Sequence, residues 1–277
     1  MPVNVRIKQK SVFSKKLKMD KIINITGLSY GARDEKFRLK EGKMASHTLL
    51  YDKAKLARGI ELWIDKNDIL LSLNLPTSSS EIKLFYDIIA KICNTLKIKK
   101  YIREDQQENI EDNGKFIKDD EENSIIALEN IKKKIGNSNL IFILFGIFNP
   151  ISIGQKELKK INNNLNDFEK FLNEIQSYDV YYAAPTVYRK KDTNYSIGMY
   201  SITEDVPSVV PIKPYIIFRQ SNDIEEWYVF FDKGKIIKYD DFINNVAEKQ
   251  YYDADHVIVS MNNEDIEVLV KKYFCNI

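Results

Sequence analysis

The spacing of hydrophobic residues predicts strands at three places in the first part of the chain. Residues 3–7 alternate between apolar and polar side chains, as expected for a strand with one buried face. Residues 60–64 alternate in the same way, and residues 69–75 form a second apolar run. Lys66, Asn67 and Asp68 separate the two and have the chemistry of a turn, which predicts a β-hairpin.

A helix is predicted directly after this hairpin. Pro76 ends the second strand, and Ser78 followed by Glu81 matches a capping box, in which each side chain bonds the backbone of the other residue. The apolar positions that follow keep a spacing of three and four, which places them on one face of a helix. They are Ile82, Phe85, Ile88, Ile89, Ile92, Cys93 and Leu96.

The middle of the chain combines an acidic segment with a strongly apolar one. Residues 104–122 contain nine acidic side chains and two lysines, and we expect a loop that passes into a helix through Ile135. Residues 140–148 are apolar without interruption and end at Asn149 and Pro150. This run predicts a buried strand.

The last part of the chain is rich in predicted strands. Apolar residues between 158 and 175 follow a heptad spacing and predict one helix packed on a sheet. Strands are expected at residues 180–184, 195–202, 215–218, 227–231, 235–239 and 256–260. A final helix is expected from Ile266 to Phe274, capped by Asn262 or Asn263.

These elements predict an α+β fold with mainly antiparallel sheets and helices packed on one face. A chain of 277 residues exceeds the size of a common single core. We therefore expect two domains, residues 1–150 and 151–277, with the boundary between residues 136 and 155.

Charge and cysteine content limit the classes of partner and compartment. The 42 basic and 40 acidic residues nearly cancel, so the chain as a whole has no field that would attract nucleic acid or anionic lipid, although a local patch stays open. Cys93 and Cys275 lack metal-ligand spacing and are typical of a reduced cytoplasmic protein. No secretory signal is recognisable at the first residues. The longest apolar run has nine residues, against ~20 for a membrane span, so we expect no membrane partner.

Catalytic patterns are missing from the sequence. His47 and His256 are the two histidines, and neither cysteine has the setting of an activated nucleophile. No glycine-rich phosphate loop is present, and no cofactor or metal is predicted. Asp253, Asp255 and His256 are close in sequence, but neighbouring strand residues face opposite ways. We expect a solvated strand entry there and not a metal site.

Residues 178–191 form the most unusual patch of the chain. Tyr181, Tyr182 and Tyr188 precede Arg189 and two lysines. This composition is suited to stacking nucleic-acid bases or to anchoring a protein partner. A tyrosine-rich strand that ends in a charged turn explains the same residues. The candidate binding residues from this patch are Tyr182, Tyr188 and Arg189.

One block of sequence has a recognisable family character. It comprises Leu50-Tyr51-Asp52, Arg58-Gly59-Ile60-Glu61, the run from Leu73 to Ile82, and Tyr101-Ile102-Arg103-Glu104-Asp105. The block, with its continuation to residue 135, resembles a family of Gram-positive bacterial proteins known only as a domain of unknown function. The resemblance implies no reaction. Arg58, Glu61, Arg103 and Glu104 are the positions in it that strand, cap and helix packing explain least, and they complete the candidate binding surface.

Two hypotheses on function follow. The first is a non-enzymatic cytoplasmic binding or regulatory protein, such as an immunity-type protein, whose acidic residues 104–122 complement a basic protein surface. The second is an enzyme with a site built from distant carboxylates, tyrosines and arginines where the two halves meet. Neither hypothesis fixes the partner or the oligomeric state.

Overall fold

The structure is a computed structural model that describes residues 2–9, 16–136, 138, 140–162, 164–189, 195–216 and 224–276. The chain divides into two compact units, Met1–Ser177 and Tyr178–Ile277. Our sequence analysis places a domain boundary near residue 150. That boundary stays a prediction, because compactness alone does not establish which part of a chain folds by itself.

The first unit contains helices and antiparallel strands, which confirms the α+β class. Its strands are β1 Pro2–Lys8, β2 Ser29–Arg33, β3 Leu39–Glu41, β4 His47–Tyr51, β5 Ile60–Asp65, β6 Asp68–Asn74, β7 Lys100–Arg103, β8 Gln106–Asn109, β9 Phe142–Phe145 and β10 Pro150–Ile153. Its helices are α1 Met19–Thr26, α2 Ser79–Thr95, α3 Asn113–Gly136, α4 Gln155–Ile161 and α5 Leu165–Gln176, with a 3-10 turn at Ile110–Asp112.

An eight-stranded sheet in the order β3-β2-β4-β5-β6-β1-β7-β8 forms the frame of this unit. The predicted strand at residues 3–7 is confirmed as β1, with Val3, Val5 and Ile7 buried and the residues between them exposed. The predicted hairpin is confirmed as β5 and β6. The apolar stripe of α2 shares one core with these strands and with α1, so helices cover that face of the sheet.

The start of α2 confirms half of the predicted capping box. Ser78 caps the helix by accepting a hydrogen bond from the Glu81 N–H at 3.2 Å. The Glu81 carboxylate does not return this bond to Ser78. It accepts instead from the N–H groups of Arg58 and Gly59 and from the Thr77 hydroxyl, because it is buried between the helix start and the entry of β5.

The expectation of one buried strand over residues 140–148 is wrong. The run forms β9, which pairs with β10 in a hairpin, and its residues 140–143 are exposed. The helix predicted over residues 158–175 is two helices, because Asn162 adopts a left-handed conformation (φ 47°) that ends α4. The expected loop over residues 104–122 contains β8, the 3-10 turn and the first turns of α3.

The second unit contains two four-stranded sheets whose strands are interleaved along the chain. The strands are β11 Tyr181–Tyr182, β12 Thr186–Arg189, β13 Ser196–Ser201, β14 Ser208–Pro211, β15 Glu226–Phe231, β16 Lys235–Lys238, β17 Gln250–Tyr251 and β18 His256–Val259. The helices are α6 Tyr239–Asn245 and α7 Asn263–Tyr273. One sheet has the order β11-β14-β18-β17 and the other β12-β13-β15-β16.

Sequence patterns predicted part of this unit. Strands were expected near β11, β13, β15, β16 and β18, whereas β12, β14 and β17 were not. The expected strand at residues 215–218 lies partly outside the described residues, and residues 215 and 216 are not in a strand. Asn262 caps α7 as expected, in a capping box with Asp265.

The two edge strands of the sheet β12-β13-β15-β16 differ in how far other residues cover them. The chain's own last residues cover the outer edge of β16, through a bridge between Ile237 and Phe274 and a bond from the Cys275 N–H to the Ile236 carbonyl. At the other edge, β12 pairs with β13 alone among the named strands.

In the described part of the chain, no helix combines the length and the apolar character that crossing a bilayer requires.

The end of α1 provides a test of the backbone geometry. Gly27 follows α1 with φ 69°, and a Cβ added there would meet no atom within 4 Å. We expect Gly27→Ala to lower the free energy of unfolding by about 1 kcal/mol, because an L-residue is strained in this conformation. Gly114→Ala, on the open second position of α3, is the control and should be neutral or stabilising by up to about 1 kcal/mol. Urea unfolding followed by circular dichroism measures both; equal effects would contradict the assignment.

Candidate binding site

Arg58 is an internal structural residue in the first unit. Its guanidinium donates hydrogen bonds to three carbonyls, those of Asn74 (3.1 Å), Pro76 (3.3 Å) and Phe145 (3.1 Å). Burial lowers the pKa of Arg58 to about 10, which leaves it protonated at neutral pH. The side chain therefore ties the end of β6 to the hairpin β9-β10.

Arg103 is likewise committed to an internal cluster. It forms a 2.6 Å ion pair with Asp120, which is fully buried, and its Nε donates to the Tyr86 hydroxyl. Its guanidinium lies 4.8 Å from the centre of the Phe116 ring. Burial raises the pKa of Asp120, and the charge of Arg103 opposes that shift.

Glu61 and Glu104 lie on the same cross-strand row of the large sheet. Glu61 pairs with Ser72, and Ser72 pairs with Asn4. The Asn4 N–H donates to the Glu104 carboxylate at 2.6 Å. The row continues into the turn between β7 and the edge strand β8, where charged side chains such as Glu104 and Asp105 discourage pairing with other chains.

Tyr188 and Arg189 lie in the second unit and line a groove of about 890 Å³. The groove follows the face of the sheet β12-β13-β15-β16 that is opposite the hydrophobic core of this unit. Strand pairing arranges its side chains in rows across the sheet. The rows are Tyr188–Ile197–Glu226, Met199–Tyr228–Lys238 and Ser201–Phe230–Ile236.

Glu226 is the central acid of this groove. Its carboxylate accepts hydrogen bonds from the hydroxyls of Tyr195 (2.5 Å) and Tyr228 (2.6 Å) and from Lys238 (3.3 Å). The Tyr195 bond, followed by those from Tyr228 and Lys238, lowers the pKa of Glu226 to about 2. The carboxylate is therefore ionised at neutral pH, and its charge is already compensated by its neighbours.

Two groove side chains keep unused capacity for binding. Tyr188 is 51% exposed, and among the described residues its hydroxyl has no hydrogen-bond partner. Arg189 is exposed and forms no ion pair with a described residue. Tyrosine and arginine are both enriched among the residues that contribute most to the affinity of protein interfaces.

Tyr182 does not belong to the groove. It is buried, and its hydroxyl lies 2.9 Å from His256 Nε2, at the same distance as the Tyr215 hydroxyl. His256 Nδ1 lies 2.7 Å from Asp253, which is fully buried. The expectation of a solvated strand entry at residues 253–256 is therefore wrong for Asp253 and His256, which fold inward because the acid and the imidazole satisfy each other.

This buried cluster has a defined hydrogen-bond logic. His256 Nδ1 faces Asp253, while the hydroxyls of Tyr182 and Tyr215 both lie within hydrogen-bond distance of Nε2. Burial raises the pKa of Tyr182 well above its ordinary value and that of Tyr215 to about 12, so both phenols are protonated at neutral pH. The described residues contain no group of side chains placed to hold a metal ion.

Sequence reasoning missed Glu226, Tyr195 and Tyr228. The apolar and aromatic character of β15 is visible in the sequence, but the parallel pairing of β13 with β15 is not, because residues 202–225 separate them. Without that pairing nothing connects Tyr195 to Glu226. Of the seven predicted residues, the groove brings together Tyr188 and Arg189.

The fold and the groove define an α+β protein with an open aromatic sheet face. The chain belongs to the family described as Domain of unknown function (DUF4299), whose model matches residues 2–269. Comparison with curated proteins and with solved structures gave no match.

The buried pair Asp253–His256 gives a stability prediction. We expect His256→Phe to lower the free energy of unfolding by about 1–3 kcal/mol, because buried Asp253 would lose its hydrogen bond with the imidazole while it keeps the one from the Asp255 N–H. The double variant Asp253→Leu/His256→Phe should recover part of the loss. Urea unfolding measures both, with the exposed His47→Phe as control. A His256→Phe effect as small as that of His47→Phe would contradict the structural role.

Proposed function

We propose that the protein is a non-enzymatic binding protein of the bacterial cytoplasm, and that the groove on the sheet β12-β13-β15-β16 is its partner surface. The observation that carries the proposal is that Tyr188 and Arg189, which line an open groove, have side chains without a hydrogen-bond or ion-pair partner among the described residues. The groove floor is partly apolar, with Ile197, Met199 and Phe230 half-buried. A partner that covers such a floor removes apolar surface from water, which favours binding.

The other predicted residues support the groove by elimination. Arg58, Arg103 and Tyr182 already have internal partners, so binding through them would require those bonds to break. Several acids of residues 104–122 also have partners within the chain: Glu104 accepts from the Asn4 N–H, Asp120 pairs with Arg103 and Glu121 pairs with Lys83. Arg189 is left as the cation that an acidic group on a partner would neutralise.

A regulatory or immunity-type role is the specific form of binding that we propose. In an immunity-type role the partner is a toxin, and the complex is stoichiometric. We also propose that the protein comes from a Gram-positive bacterium, as the resemblance implies. The partner would then be sought in a Gram-positive host.

Affinity capture from the native host tests the groove. We expect the wild-type chain to recover one stoichiometric protein, and Tyr188→Ala to reduce its recovery about tenfold or more, since an interface tyrosine often contributes 2 kcal/mol or more. Arg189→Gln should weaken recovery and reduce its salt dependence. Quantitative mass spectrometry of the captured proteins provides the measurement.

Tyr181→Ala is the matched control for this capture. Tyr181 is an exposed tyrosine of β11, outside the groove, so its removal should leave recovery unchanged. Repeated recovery of the chain alone, or equal losses with Tyr181→Ala and Tyr188→Ala, would count against the groove.

The predicted enzyme site of distant carboxylates, tyrosines and arginines between the two halves stays a prediction. A different enzymatic candidate is the cluster of Asp253, His256, Tyr182 and Tyr215 within the second unit. These residues come from distant positions and place an acid, an imidazole and two phenols in contact, a set suited to acid–base chemistry. An enzyme needs the imidazole to be accessible to a substrate, whereas His256 is 1% exposed. Burial therefore favours the structural role.

Chemical modification separates these two roles. We expect diethyl pyrocarbonate to modify exposed His47 and to leave His256 unmodified in the native chain, because the reagent needs contact with an unbonded ring nitrogen. The two histidines of the sequence make the assay unambiguous by peptide mass spectrometry. Equal rates at both residues would favour the enzyme.

A further inference from the structure

The first unit exposes a continuous apolar segment. Leu140, Ile141, Phe142 and Ile143 have exposed side chains, and Leu140 is 60% exposed. Among the described strands β9 pairs with β10 alone, so the segment lies at the edge of a two-stranded sheet. Soluble proteins usually protect such an edge with charges or cover it, so this segment marks an interaction site.

The helices before and after the hairpin β9-β10 carry exposed lysines. The last turns of α3 carry exposed Lys132, Lys133 and Lys134, and the neighbouring helix α4, which packs on α3 and β10, carries exposed Lys159 and Lys160. Among the described residues these five lysines form no ion pair.

Acids do not balance this basic cluster. Glu129 is half-buried one turn before the three lysines of α3. Glu157 is buried and accepts a hydrogen bond from the Gly154 N–H, so its carboxylate is used at the start of α4. Residues 136–149 contain no charged side chain. Residues 130–162 contain six lysines and one acid, Glu157, so this stretch is cationic although the whole chain is almost neutral.

We infer that this surface docks on an anionic lipid bilayer, with residues 140–143 inserted among the headgroups and the lysines bound to lipid phosphates. Charge complementarity selects an anionic surface. The four apolar side chains select a bilayer over nucleic acid, because phosphate binding gives them nothing to contact while a membrane interface takes them out of water.

The expectation of no membrane partner rested on the lack of a spanning segment and on the near-zero net charge. Docking on a surface needs neither. It needs a local cationic patch beside insertable apolar residues, and it should be reversible because one short segment buries little area. This inference is independent of the groove in the second unit.

Vesicle co-sedimentation of the full chain tests the docking. The probes are vesicles of phosphatidylcholine alone and vesicles with about 30 mol% phosphatidylglycerol at low salt. We expect the partition coefficient to be at least about a hundredfold higher on the anionic vesicles and to fall as salt is added. Replacing three lysines by Lys132→Gln, Lys133→Gln and Lys134→Gln should lower it about a hundredfold.

A second variant isolates the apolar contribution. Ile141→Ser with Phe142→Ser should lower the partition coefficient about tenfold or more while the salt dependence stays. Ile126→Ser is the matched control, because Ile126 is an exposed isoleucine of α3 about 15 Å along the helix from its end, and it should bind as the wild type does.

Two results would overturn the inference. One is equal binding of the wild type to neutral and anionic vesicles, or none to either. The other is a dimer in analytical ultracentrifugation that Ile141→Ser with Phe142→Ser makes monomeric, without vesicle binding, which would assign the segment to a second copy of the chain. Circular dichroism of each variant confirms that it is folded.

Discussion

The buried carboxylate of Glu81 is the constraint on which the first unit depends. It lies between the start of α2 and the entry of β5, where it accepts from the backbone of Arg58 and Gly59. Burial raises the pKa of Glu81, and the donated hydrogen bonds oppose that shift. A buried carboxyl group is tolerated only when its oxygens are hydrogen-bonded in this way, so the helix, the strand entry and the loop are fixed together.

Arg58 extends this constraint to the hairpin β9-β10. Its backbone bonds Glu81, and its side chain reaches Phe145 of the hairpin, while Arg33 donates to the neighbouring Gly146 carbonyl at 2.6 Å. Two arginines therefore hold the hairpin at its inner end. The exposed apolar segment lies at the other end of the hairpin, which these hydrogen bonds hold in place. Its exposure is therefore a feature of the fold.

Sequence patterns predicted the elements whose partners are close in the chain. β5, β6 and α2 follow one another, so alternation, turn residues and Ser78 defined them correctly. The hydrophobicity of residues 140–148 indicated a strand but not its surroundings, because an apolar run does not state whether another element covers it. His256 and Asp253 were expected in solvent because neighbouring residues of a strand face opposite sides. That argument does not account for the irregular turn that brings the two side chains together.

The interleaved strands of the second unit have a consequence for how the groove arises. Ile197 of β13 pairs with Glu226 of β15, and Val209 of β14 pairs with Ile258 of β18. In each sheet, strands of the other sheet lie between the two paired strands along the chain. Contacts of such long range slow folding, because loop-closure entropy is lost before the contacts form. A nascent chain that lacks β18 would leave β14 paired with β11 alone among the described strands. The groove on the other sheet needs later residues too, because Asn276 lines it and Phe274 and Cys275 pair with β16, so recognition through the groove arises late in synthesis.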